Sequence, residues 1–241
     1  MALVRINKFL SQSGIASRRK VDEYISSNRV KVNGKTISEF GIQVDSEKDI
    51  ITLDGKVIKP QAKQYFILNK PKNYVCSNLR KDREKLVIDI FSKLPYKLFT
   101  VGRLDRDTTG LIIVTNDGDL SNQIIHPSSD IEKEYIAKVK ETLTETHLKK
   151  ISKGAFVENK FVKPKKVVKI HKNFIKIIVK EGKKREVKEF IKQARLKLME
   201  LTRTRIGNLK LHDLKEGQYV QVGLKALSPI FSKFQDENNL D

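Results

Sequence analysis

Cysteine is nearly absent from this chain: Cys76 stands alone among 241 residues. An internal disulfide framework is therefore excluded, and so is any zinc site built on paired cysteines, including the zinc deaminase signature for chemistry on nucleic-acid bases. Cys76 itself reads as a small residue within a strand. The four histidines, His126, His147, His171 and His212, are scattered without the spacing of metal ligands, so neither a metal nor a cofactor is expected. Long apolar runs are missing too. Nothing approaches the length of a bilayer span, and Met-Ala-Leu-Val-Arg-Ile lacks the apolar region of a signal peptide. A basic amphipathic helix with a long apolar face, or a lipidation signal, is equally lacking, which argues against a membrane surface as partner. The cytoplasm is the expected location. Acidic residues fall well short of basic ones, 29 against 49, and leave a formal net charge of +20. Solubility needs far less, so the surplus points to a polyanionic partner, with nucleic acid first.

What is present supports a packed core. A hydrophobic content of 39% over 241 residues suits one large domain or two unequal ones. At the start, Ile6, Phe9 and Leu10 share a face at helical spacing and Gly14 breaks the run. Ser17 then caps a second helix with Val21, Tyr24 and Ile25 as its stripe. Asn33-Gly34 predicts a tight hairpin after Val30-Lys31-Val32, which also disposes of Gly34-Lys35-Thr36 as the end of a phosphate-binding loop, because position 29, where the first glycine belongs, is Arg29. Ile50–Leu53 with Asp54-Gly55 suggests a further small β element. Arg18, Arg19 and Lys20 occupy the first turn of the second helix, where the helix dipole disfavours cations. They make sense if an anion docks there and meets both backbone N–H groups and cations; a solvated basic face is the alternative.

Lys59-Pro60-Gln61-Ala62-Lys63 is polar and holds a proline, so a linker is expected over residues 59–64, between a first domain (1–58) and a second (65–234), with a polar tail at 235–241. Strands are predicted at Tyr65–Asn69, Leu98–Val101, Leu111–Thr115, Tyr135–Lys140, Lys166–His171 and Phe174–Glu181, interrupted by helices near Gly118–Ile125, Glu145–Ile151 and Glu186–Leu196. Consecutive strands with few helices argue for an α+β fold whose sheet is mainly antiparallel. No internal repeat or low-complexity segment stands out.

The most informative stretch is Val101-Gly-Arg-Leu-Asp-Arg-Asp-Thr-Thr-Gly-Leu-Ile-Ile-Val-Thr-Asn-Asp-Gly-Asp-Leu120. It sets one carboxylate, Asp105, between Arg103 and Arg106 in a turn marked by Asp107, Thr108, Thr109 and Gly110, and then enters a β-branched run. Arg-Leu-Asp-Arg is thus displayed at the mouth of a strand. A calcium loop is a poor fit, since the fifth and twelfth ligand positions hold Thr109 and Asn116. A plain side-chain-to-backbone turn flanked by surface arginines is the other ordinary reading.

The string Gly-Arg-Leu-Asp-x-x-Thr-x-Gly-Leu resembles the active-site motif of pseudouridine synthases, and Thr-Asn-Asp-Gly-Asp-Leu extends the resemblance into the branch that modifies ribosomal RNA, the RsuA/RluB type. Lys-Phe-Leu-x-x-x-Gly-x-Ala-Ser-Arg-Arg through Arg-Val-x-Val-Asn-Gly is similar to the S4-like αL RNA-binding module, over residues 2 to about 58. The resemblance implies a mixed, mainly antiparallel sheet with a central cleft. It also implies conversion of a uridine to pseudouridine, which breaks a C–N glycosidic bond and forms a C–C bond to the same sugar without redox change or external donor. Asp105 takes the catalytic role by this resemblance. Whether a carboxylate there attacks the sugar, attacks the base or removes a sugar proton stays open.

A base inside folded RNA must be extruded and held against an aromatic or apolar wall. Tyr135, in Glu132-Lys133-Glu134-Tyr135, resembles the family's Lys-x-Tyr element, whose tyrosine stacks on the uracil. Lys188 resembles the family's basic residue that pairs with the catalytic aspartate and favours its ionised form. Lys183, Lys184 and Arg185 are expected to meet phosphates, and Arg103 to fill the gap left by the flipped base or hold its phosphate. His126-Pro127 is expected to shape the cleft wall. The chain has Glu189-Phe190 where the family more often has Arg-Met or Arg-Arg-Met. Ribosomal RNA, or a ribosome-assembly intermediate, is the expected partner, the large-subunit RNA is favoured, and a monomer is expected. The rival is a non-catalytic RNA-binding or ribosome-assembly protein in which Asp105 is only a turn residue.

Overall fold

The computed structural model describes residues 3–180 and 182–232. The chain divides into two compact units, one built on the residues up to Gln64 with segments 94–98 and 116–118, the other on the remainder. The expected tail, 235–241, lies outside the described residues.

In the first unit the helices Ile6–Gln12 and Arg18–Ser26 form where their apolar stripes demand them. Ile6, Phe9, Leu10, Val21 and Ile25 are buried together with Val30, Val44 and Ile51 in one core. Ser17 caps the second helix, its side-chain oxygen accepting from the Lys20 N–H at 3.3 Å. A four-stranded sheet runs in the order Lys35–Thr36, Val30–Val32, Ile51–Leu53, Lys56–Val57. Its two tight turns fall at Asn33-Gly34 (φ 50° and 81°) and Asp54-Gly55 (φ 50° and 78°), the left-handed pairs that hairpins of this length require.

The second unit is α+β. Among the described residues its main sheet has nine strands, seven of them in the order Lys166–His171, Phe174–Val179, Lys133–Val139, Leu198–Ile206, Thr109–Thr115, Tyr65–Lys70, Tyr219–Val222. Phe99–Val101 joins beside Thr109–Thr115, and Leu209–Lys210 beside Leu198–Ile206. Pairing is antiparallel throughout except at the centre, where Thr109 and Gly110 run parallel to Thr202 and Arg203. Leu111, Ile112, Ile113 and Val114 are fully buried, so this strand is covered on both faces, which is why it reads as a continuous apolar run rather than an alternating one. Gly110 could be nothing else: its φ is +110°, and a Cβ there would lie 2.2 Å from the Arg203 carbonyl oxygen.

Leu198–Ile206 was not expected as a strand. Its sequence, Leu-Met-Glu-Leu-Thr-Arg-Thr-Arg-Ile, carries too much charge for a central position, yet Arg203 and Arg205 are both buried there. The Arg203 Nε–H donates to the Leu111 carbonyl at 2.8 Å, and Arg205 lies 3.6 Å from both Glu132 and Glu134. Cys76 sits just past the strand Tyr74–Val75 rather than within one, buried.

Candidate active site

The loop from Gly102 to Thr108 leaves the strand Phe99–Val101 and returns into Thr109–Thr115. Gly102 (φ +70°) makes the first corner, and the Thr108 N–H donates to the Asp105 carbonyl at 3.1 Å to close the turn. Beneath it lies Lys70, the last residue of its strand and wholly buried. Its ammonium donates to the carbonyls of Pro71 (2.9 Å), Arg106 (3.3 Å) and Thr108 (2.8 Å), and the Asn73 N–H also reaches Arg106 O (2.8 Å). Burial lowers the Lys70 pKa; nearby Cys76, Asp107, Glu216 and Asp105 oppose that. The Leu104 N–H meets the Cys76 sulfur at 3.4 Å, while burial pushes the thiol up. The backbone of the Asp105 loop is thus held from several directions, by the Lys70 ammonium, the Cys76 sulfur and the Asn73 N–H.

A second element brings the partner. Helix Glu186–Gln193 forms because Val187, Phe190 and Ile191 recur on one face and are buried. Its entry, Lys183-Lys184-Arg185, turns sharply, with Arg185 in the left-handed region at φ 58° and the Lys183 N–H donating to the Glu186 carboxylate at 2.7 Å. The helix then presents Lys188 to the loop. The Lys188 ammonium lies 2.8 Å from Asp105 Oδ2 and 2.5 Å from Asp107 Oδ1. One cation thus serves two carboxylates. Desolvation pushes the Asp107 carboxyl up, but the Lys188 hydrogen bond and charge, with Arg185 behind them, carry it below its ordinary value.

These parts line a cleft of about 260 Å³ that holds Arg103, Leu104, Asp105, Thr108, Tyr135, Lys184, Arg185 and Lys188. Tyr135, on the central strand Lys133–Val139, is 8% exposed and forms a wall of the cleft. The expected residues Asp105, Tyr135, Lys188, Arg103, Lys184 and Arg185 therefore meet in one place. Lys183 is half-buried and does not line the cleft, and His126, expected on the wall, is exposed and does not line it either; it caps the turn Pro127–Ser129. Arg18, Arg19 and Lys20 belong to the first unit; all three are exposed in the first helical turn, and Lys20 pairs with Glu23. Lys70 and Asp107 were missed. A lysine ending an apolar strand before Pro71 was the available signal for the first, and Asp107 had passed as a turn residue only.

The cleft thus combines the Asp105 carboxylate, a buried aromatic wall and cationic side chains, an arrangement suited to an enzyme. The comparisons with known proteins agree. The RNA pseudouridylate synthase model matches residues 64–202 and the S4 domain model residues 4–51. The chain is 40% identical to an uncharacterized RNA pseudouridine synthase of Aquifex aeolicus, over 96% of this chain and 95% of that one. It is 33% identical to ribosomal large subunit pseudouridine synthase B of Bacillus subtilis, over 88% and 89% of the two chains. A crystal structure of a pseudouridylate synthase superposes with a TM-score of 0.67 at 29% identity, over 94% of this chain and 99% of that one. The chain belongs to the RNA pseudouridine synthase family, and an S4 domain precedes its synthase region.

Proposed function

We propose that this protein isomerises a specific uridine of ribosomal RNA to pseudouridine, with large-subunit RNA the favoured substrate. The observation that carries the reading is the Asp105–Lys188 pair, 2.8 Å apart, in the same cleft as Tyr135. A flipped uridine enters with its base against Tyr135 and its sugar toward Asp105, which acts on sugar or base as nucleophile or proton acceptor. Lys188 neutralises the carboxylate and holds it in place. Arg103, Lys184 and Arg185 surround the entrance with positive charge suited to the phosphates of the flipped nucleotide, and Lys183 adds to that field.

The S4 region, with its Ser17-capped helix start at Arg18, Arg19 and Lys20, binds the same RNA outside the cleft and contributes affinity and site choice. Residues 1–58 form that RNA-binding domain, 59–64 the linker and 65–234 the synthase domain. The protein works as a monomer in the cytoplasm on free ribosomal RNA or on an assembly intermediate. Preference for the large subunit is supported by the Bacillus subtilis relative named for it. Mapping pseudouridine across both ribosomal RNAs in cells with the gene, without it, and with Asp105→Asn tests this. One site that vanishes in the last two strains is the expected result. An unchanged map would refute the enzyme reading and leave the assembly-protein reading, and loss of a small-subunit site would overturn the choice of RNA.

A further inference from the structure

Outside the cleft, the second unit carries a short hairpin with an unusual outer face. Strands Ala155–Val157 and Lys160–Val162 pair antiparallel across Glu158-Asn159, both in the left-handed region (φ 48° and 63°). Ala155, Val157 and Val162 point inward and are buried, and the first strand packs against helix Glu186–Gln193, the helix that presents Lys188. Phe156 and Phe161 are direct cross-strand partners on the opposite face, 72% and 51% exposed. Their rings meet edge to face with centroids 5.2 Å apart. Burying such rings is worth roughly 1.5–3 kcal/mol each, so two left in water on a stiff hairpin are not explained by folding.

The surroundings are cationic. Lys163 reaches over the Phe161 ring at 5.8 Å, and Lys153, Lys160 and Lys163 have no carboxylate partner among the described residues. Glu158, at the turn, is the one acidic side chain of the hairpin. The base of the hairpin is held firmly: Gly154 ends helix Glu145–Lys153 at φ +92° and lies so close to the Val162 carbonyl that a Cβ would come within 2.2 Å of its oxygen. The rings are therefore presented in place rather than on a mobile tip.

We propose that Phe156 and Phe161 form a stacking platform for unpaired bases of the RNA substrate, flanking the uridine that enters the cleft. Aromatic faces accept any base, and adjacent lysines hold the backbone, which is the usual chemistry of single-strand capture. A protein partner or a second copy of this chain would be matched by the apolar pair but not by three unneutralised lysines around it. The proposal rests on the reading that ribosomal RNA is the substrate, and it adds the part of that RNA which is gripped: an unpaired segment, held on the helix that positions Lys188.

The test compares the full chain with Phe156→Leu/Phe161→Leu, which keeps the apolar surface and removes the rings, and with Lys160→Gln/Lys163→Gln. The binding probe is a labelled single-stranded RNA dodecamer, titrated at several salt concentrations; turnover is followed on transcribed ribosomal RNA. The leucine variant is expected to weaken dodecamer binding by about tenfold or more, with an unchanged salt slope, because stacking releases no counterions. It should also raise KM while kcat stays within about twofold. The glutamine variant should flatten the salt slope instead. Unchanged dodecamer affinity in the leucine variant overturns the proposal, and so does a wild-type dimer in sedimentation that the leucine variant preserves without any loss of RNA binding. Ring-dependent dodecamer binding by a protein that makes no pseudouridine would support the platform and sink the enzymatic reading, so the two failures are distinct.

Discussion

Replacing Lys188 by Met removes the single ammonium that lies 2.8 Å from Asp105 and 2.5 Å from Asp107. The side chain of Lys188 is 18% exposed and that of Asp105 28%, so the pair belongs between a surface ion pair, worth about 0–1 kcal/mol, and a fully buried one, whose breaking costs about 3–5 kcal/mol. A loss of about 1–3 kcal/mol follows, which is a fall of roughly 5- to 150-fold in kcat. Two anions then share the turn without the ammonium that contacts both, and Asp107 loses the hydrogen bond that helps hold its carboxyl below the ordinary value. Lys184→Met removes the same unit of charge from the same segment, but Lys184 is exposed and its charge is screened by solvent, so its loss should stay within about fivefold. Single-turnover rates at saturating RNA compare the two, with melting curves to show that both variants fold. Equal losses would falsify the pairing role, and Lys188 would then count as one more phosphate contact, with Arg185 the next residue to test as the orienter of Asp105.

Asp105→Asn should abolish turnover while leaving RNA affinity nearly intact; turnover above about a tenth of wild type, measured by pseudouridine yield, would remove Asp105 from the chemistry. Arg18→Gln/Arg19→Gln should reduce the slope of log affinity against log salt by about 1.4 to 1.8 in magnitude, since two phosphate contacts are lost, and an unchanged slope would show that this helix start does not touch RNA. Lys70→Met removes three hydrogen bonds to backbone carbonyls, two of them on the loop, and should lower Tm by about 5 °C or more; a calorimetric shift under about 1 °C would mean that the loop does not depend on this clamp. Burial, with Arg203 nearby, pushes the Lys133 pKa down to about 8, so the folded protein holds that proton less tightly than the unfolded chain. Its contribution to stability is therefore full above the unfolded value of 10.5 and is lost as pH falls through about 8. Urea midpoints at pH 7, 8 and 9 should rise less with pH in Lys133→Met than in wild type, and parallel curves would contradict the depressed pKa.

Local patterns carried much of this fold. The stripe Ile6, Phe9, Leu10 and the turn pairs Asn33-Gly34 and Asp54-Gly55 specify their own geometry within a few residues, and the first unit is built from them. The α+β class was legible because consecutive strands such as Lys166–His171 and Phe174–Val179 follow one another with few helices between. Leu198–Ile206 was not legible. Its neighbours Lys133–Val139 and Thr109–Thr115 supply the carboxylates and the carbonyl that make Arg203 and Arg205 tolerable inside, and a single strand's sequence does not announce what will lie beside it.

The cleft divides along the same line. Asp105 is conspicuous because turn residues surround it, and Lys188 because it opens a helix whose buried face is plain; side chains that mark their own local structure can be found from that structure. Lys70 marks itself only as a lysine at the end of an apolar strand; it acts on backbone carbonyls of Pro71, Arg106 and Thr108, groups that every residue carries, so no residue type at any spacing signals its partners. Asp107 becomes special only through an ammonium that lies 81 positions away in sequence. Lys188, which contacts Asp105 directly, was thus legible, whereas the clamp beneath the Asp105 loop was hidden. The reason is physical: folding brings the Lys70 ammonium against the Arg106 and Thr108 carbonyls, more than thirty positions away in sequence, and each explains the other only once they are side by side.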